Sequence, residues 1–195
     1  MSAREDILAR VRANRPKGDY TLPDLPRFKL EQPGGVVASF SAMLEAMGGK
    51  LVVPTAGQDT KELIQTLFPK MGVLCSAVPE VAGDRDLSQV RQPRDLADVD
   101  VAVVRAILGV AESGSVLFTE SELKVNTVAY LAQHLVVLLS GDAIVPGLQD
   151  AYDHPSFRTA HYAVFHTGPS ATGDIEGVLI HGAQGVRSLT VVLTD

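Results

Sequence analysis

Apolar positions along this chain follow two periods. Near the start, Ile7, Leu8 and Val11 recur at helical spacing. Ser2, with Glu5 three positions on, makes a capping box, so a helix is predicted over residues 2–14. A second amphipathic helix is predicted over 36–48, stopped by Gly48-Gly49. The period then shortens. Strands are predicted over 50–54, 71–75, 100–105, 116–119, 134–139, 162–166 and 189–193, and helices over 58–68, 105–111, 125–133, 143–151 and 173–180. Residues 76–98 are mixed, broken by Pro79 and Pro93. The run Val101-Ala102-Val103-Val104 is apolar on both faces, as a strand covered on both sides must be. Strand–helix alternation predicts an α/β fold: an open, mostly parallel sheet with helices on both faces and right-handed crossovers.

Pro16, Pro23, Pro26 and Pro33 interrupt the stretch after the first helix. The expected organisation is therefore an N-terminal helix and proline-rich arm over 1–33 and one α/β domain over 34–195. A helix with an apolar stripe on a long tether needs a surface to bury it, which points to a homo-oligomer. The chain carries 23 acids against 17 bases, a net charge of −6. That balance disfavours a nucleic-acid partner, which needs a basic face. It leaves room for a small anionic ligand, because local potential and net charge can differ. No apolar run reaches the roughly 18 residues that span a bilayer, and the charged N-terminus lacks a signal-peptide core, so the cytoplasm is the expected location.

Chemistry concentrates near the C-terminus. Thr167-Gly168-Pro169-Ser170-Ala171-Thr172-Gly173-Asp174-Ile175-Glu176 is followed by His181-Gly182-Ala183-Gln184-Gly185-Val186-Arg187. Gly168-Pro169 marks a sharp turn, Ser170 or Thr172 can cap a helix start, and Asp174 and Glu176 sit where a helix N-terminus favours negative charge. A well-capped helix after a tight turn accounts for the segment. The sharper reading adds a floor of backbone N–H groups and hydroxyls that holds an anion, with Gly182 and Arg187 completing it. Arg187 paired with Asp174 or Glu176 is the plainer alternative.

The same residues carry a resemblance. Thr-Gly-Pro-Ser-x-Thr-x-Asp-Ile-Glu with the later Gly-x-x-Gly-x-Arg resembles the C-terminal signature of the LUD-domain family, in its lactate-utilization protein C type. Gly109-Val110-Ala111-Glu112-Ser113-Gly114-Ser115-Val116-Leu117 is similar to that family's Ile-Ala-Glu-Thr-Gly-Thr run, and His134-Leu135-Val136-Val137 follows in order. The likeness covers about residues 100–195, and Ser2 to Asn14 resembles the family's opening helix. Two features depart from it. Leu123-Lys124-Val125-Asn126-Thr127-Val128-Ala129-Tyr130-Leu131 stands where members carry an Arg ahead of the helix before the His and a Leu-Pro within it, and Ala183-Gln184-Gly185-Val186 stands in place of a His-Gly-Pro. The resemblance implies a fold similar to ribose-phosphate isomerases and coenzyme A transferases, with ligands at the carboxyl ends of the strands. It also implies a role in oxidation of L-lactate to pyruvate beside iron–sulfur partner proteins. The single cysteine, Cys75, cannot hold such a cluster alone, so the expected role is accessory or regulatory, with no cofactor of its own.

A rival reading makes the chain an enzyme of coenzyme A transferase or isomerase type. Glu112-Ser113-Gly114 is similar to the Glu-x-Gly turn whose glutamate forms an acyl anhydride in class I coenzyme A transferases. Glu112 is then the catalytic group, with Gly114 and Ser115 beside the ligand, acting on a small carboxylate or phosphorylated compound. The plainer reading has Glu112 capping a turn. His134, His154, His161, His166 and His181 lack the local spacing of a metal site, so no metal is expected. His134 opens an apolar strand and reads as structural, whereas His166 and His181 flank the C-terminal motif. Cys75, in Gly72-Val73-Leu74-Cys75, reads as a buried, inert thiol.

Overall fold

Ser2 accepts from the Glu5 N–H while the Glu5 side chain accepts from the Ser2 N–H, closing the capping box of α1 (Ala3–Ala13). The computed structural model describes residues 2–195 and leaves Met1 outside. The order continues α2 (Val36–Ala46), β1 (Lys50–Val52), α3 (Thr60–Leu67), β2 (Val73–Ser76), β3 (Val99–Arg105), β4 (Leu108–Val110) and β5 (Ser115–Thr119). There follow α4 (Glu120–Leu123), α5 (Val128–Leu131), β6 (His134–Ser140), β7 (Ile144–Val145), α6 (Leu148–Tyr152) and α7 (Ser156–Thr159). The chain closes with β8 (Ala163–Thr167), β9 (Ala171–Thr172), β10 (Ile180–His181) and β11 (Ser188–Thr194).

The centre is a five-stranded, wholly parallel sheet in the order β1-β11-β6-β3-β2. Its β3 and β6 are the doubly apolar runs of the sequence, and alternate residues feed two cores. Val101, Val103, Val136, Leu138 and Val192 pack under α3 with Leu63 and Ile64. Ala102, Val104, Leu135, Val137, Leu139 and Val191 point the other way, onto Phe40 and Leu44 of α2 and onto Val116 and Phe118. The α/β class with a mostly parallel central sheet stands. The second face is covered by α2 together with a four-stranded sheet in the order β7-β4-β5-β8.

That second sheet accounts for most of the departures from expectation. No helix forms over residues 105–111, where Arg105 ends β3 and Leu108–Val110 form β4. Leu108, Gly109 and Val110 pair antiparallel with β5, and the Ile107 N–H donates to Leu117 O at 2.9 Å. The helix expected over 143–151 begins only at Leu148, because Ile144 and Val145 pair parallel with β4. The helix expected over 125–133 shrinks to the single turn α5, with α4 a separate turn ahead of it. No helix forms over 173–180. Gly173 and Gly177 flank Glu176, which itself has φ 54°, and the segment is the loop of a β9–β10 hairpin. The arm splits into two parts. Residues 26–32 strap onto the domain: Arg27 pairs with Asp150 (3.2 Å) and Asp153, and Gln149 accepts the Phe28 N–H at 3.0 Å. Helix α1 buries nothing. Among the described residues no helix is long and apolar enough to cross a membrane.

Candidate functional site

Two glycine turns hold the C-terminal end of α2. Gly114 (φ 65°) ends the β4–β5 turn, and a Cβ there would lie 2.5 Å from the Leu44 nitrogen. Gly168 (φ 62°) follows β8, and a Cβ there would strike the Met47 carbonyl. Only glycine fits either place, for backbone conformation and for space. The turns are tied together because β5 and β8 pair Ser115 with Thr167. The Ser115 and Thr167 hydroxyls are 2.5 Å apart, and Ser113 joins the chain at 2.8 Å. The sequence motifs 109–117 and 167–176 are thus one structure in space.

Beside this seam is a pocket of about 270 Å³, walled by Tyr130, His166, Gly168, Ser170, Gln184 and Gly185 among others. Gly185 lets the last loop close on Ser170, whose Cβ would lie 2.9 Å from a Cβ at that position. The Ser170 N–H donates to Val186 O at 2.9 Å, and the Gly182 N–H donates to Ser170 O at 2.6 Å. His166 stacks on Tyr130, ring centres 5.7 Å apart, and meets the edge of Phe118 at 6.3 Å. Burial alone pushes its imidazole below the ordinary 6.5, so the ring is neutral at neutral pH. The Tyr130 hydroxyl bonds Tyr162 at 2.6 Å, and burial followed by that bond raises its pKa. A neutral ring, a serine, an amide and exposed loop backbone can receive a small carboxylate that brings its charge to the imidazole.

The remaining candidates divide. Thr172 accepts the Asp174 N–H at 3.3 Å, a local turn rather than a helix cap. Asp174 and Glu176 are exposed in the hairpin loop, so the helix-terminus role expected for them does not arise. Among the described residues Arg187 pairs with neither of them and does not line the pocket. Gly182 (φ 75°) packs against its side chain, and Arg187 also lowers the His134 pKa, after burial. His134 bonds Ser188 at 2.8 Å and lies 4.9 Å from the Phe68 ring, a structural setting. Glu112 accepts the Leu148 N–H at 2.8 Å, starting α6. The capped element is α6, not the Ser-Gly-Ser turn. Cys75 is buried, and its thiol pKa is raised chiefly by that burial.

The 168–187 loops lie at the amino ends of the parallel strands: Val186 and Arg187 precede β11, and Gln133 precedes β6 and accepts the Arg187 N–H at 2.7 Å. The carboxyl-end crevice implied by the resemblance is therefore on the opposite edge from the 168–187 loops. Sequence reasoning missed Tyr130, Thr167 and Gln184 as wall or seam residues. Thr167 and Gln184 belong to the C-terminal motif and Tyr130 to the helix predicted over 125–133, but only the folded chain shows what they face.

The LUD domain family matches residues 85–194. Lactate utilization protein C of Geobacillus sp. (strain WCH70) is 31% identical over 56% of this chain and 49% of its own length. The chain thus spans about half the length of the curated relative it matches. In fold it is similar to a DUF162 family protein from Deinococcus radiodurans, whose crystal structure superposes with a TM-score of 0.64 over 82% of this chain and 96% of that one, at 14% identity. With more than half its length inside the family match, and the motifs of that family joined across the β5–β8 pair, this chain belongs to the LUD domain family.

Proposed function

We propose that this chain serves lactate utilization as an accessory or regulatory subunit, and that its His166 pocket receives a small carboxylate of that system. The likeness to lactate utilization protein C carries the first part. The second rests on the half-buried His166, whose imidazole pKa is lowered by desolvation, facing a pocket sized for a compact ligand. Electron transfer falls to iron–sulfur partner proteins, since one buried cysteine cannot ligate a cluster. The chain works by binding. An anion beside His166 stabilises the imidazolium, so the ligand draws a proton into the pocket, and occupancy is read out as a change at the Gly168 and Gly185 loops. The enzyme reading built on Glu112 has less support, because that carboxylate is occupied with the Leu148 N–H.

Titration of the purified protein with L-lactate, pyruvate and inorganic phosphate tests the binding claim. One of them should bind more tightly as the pH falls through the His166 range, and His166→Gln should remove that pH dependence. Absence of binding by all three, or an unchanged profile in the variant, would overturn it.

A further inference from the structure

A larger cavity, of about 780 Å³, lies on the other edge of the sheet. Ser76, the last residue of β2, stands on its wall, with Ala77, Val78 and Pro79 beyond it and Leu87 opposite. Ser121 and Lys124, from the segment after β5, close it. This is the carboxyl end of the parallel strands, where open α/β sheets place their ligand crevices.

The charged groups around this cavity are not equivalent. Arg85 is held by both Asp98 oxygens, at 2.6 and 2.7 Å, and by the Asp95 carbonyl. Glu120 accepts the His161 and Tyr162 N–H groups, each at 3.0 Å. Asp86 accepts the Ser88 N–H at 2.9 Å and its hydroxyl at 2.8 Å. Among the described residues Lys124 forms no ion pair. Its backbone is also strained. With φ 60° and ψ −50° it is the centre of a γ-turn of the disfavoured hand, closed by the Val125 N–H on Leu123 O at 2.6 Å. A non-glycine residue there costs stability, and such strain gathers where a side chain must be aimed.

We propose that this cavity binds an organic anion of medium size, a carboxylate with an apolar body, whose charge Lys124 pairs. One uncommitted cation matches one anionic group, and the Ala77, Val78, Pro79 and Leu87 wall takes the apolar part. The volume exceeds what a three-carbon acid fills, which separates this site from the His166 pocket.

Octanoate is the probe, with its uncharged amide and inorganic phosphate as controls, followed by amide chemical-shift mapping of the full chain. Octanoate should shift the Ser76, Ala77 and Ser121 amides and bind roughly tenfold or more tightly than either control, the value of a charge-assisted contact. Lys124→Met should lose that advantage and Lys124→Arg should keep it. Lys124→Gly should raise the melting temperature while losing octanoate, because it relieves the turn and removes the charge. Equal binding of octanoate and its amide, unchanged affinity in Lys124→Met, or shifts confined to residues outside this cavity would each overturn the proposal.

Discussion

Gly114 and Gly168 set how closely the second sheet approaches the C-terminal end of α2. Replacing either by Ala adds a Cβ against helix backbone at a left-handed φ, so each should cost about 2 kcal/mol or more. Urea melts followed at two probes check this, and a loss under about 0.5 kcal/mol would show that α2 can move away. His166 makes a pH statement. Its folded pKa lies below the unfolded 6.5, so the unfolded chain binds more protons in the window beneath that value. Its contribution is intact above the unfolded value and is lost as the pH falls into that window. His134, also shifted down by burial, acts in the same direction. His166→Gln should flatten part of the stability loss between about pH 7 and 5 in urea midpoints. The glycines were legible at once, because clustered Gly and small hydroxyls mark places where chain must pack on chain. Arg187 was misleading. Sequence spacing put its guanidinium near the anion loops, but Gly182 and the start of β11 carry it past them toward His134.

At the scale of elements, the parallel strands could be read because burial on two faces leaves continuous apolar runs, as in β3 and β6. The second sheet could not. Its β4 and β7 are three and two residues long, too short for any periodicity, and only pairing makes them strands, β4 with β5 and β7 with β4. The 173–180 segment was misread because Ile175, Val178 and Leu179 mimic a helical stripe, although all three are more than half exposed. Asp174→Asn should therefore change stability by no more than about 0.5 kcal/mol, not by the loss of a helix cap. Thermal melts decide, and a larger drop would mean the hairpin loop is packed. For α1 the opposite holds. Eleven residues form a marginal helix in water, and Ile7 and Val11 are 61% and 62% exposed. Residues 2–17 hold five bases against two acids, while the rest of the chain holds 12 against 21. We expect this basic helix to pack on the acidic body of a second copy. Deleting residues 2–24, which spares the strap, should lower the assembly mass in light scattering, and an unchanged mass would refute the expectation.

The whole molecule carries its two candidate sites at opposite ends of the parallel strands: the amino end joins the family motifs beside the His166 pocket, and the carboxyl end holds the Lys124 cavity. The central claim is that the chain supports lactate oxidation by binding rather than by its own chemistry. The direct measurement is L-lactate-dependent reduction of an electron acceptor in extracts of the source cells lacking this chain, with purified protein added back. The account predicts impaired oxidation without the chain, restored by wild type and by Glu112→Gln but not by His166→Gln. Undiminished oxidation without the chain, or restoration by His166→Gln but not by Glu112→Gln, would contradict it.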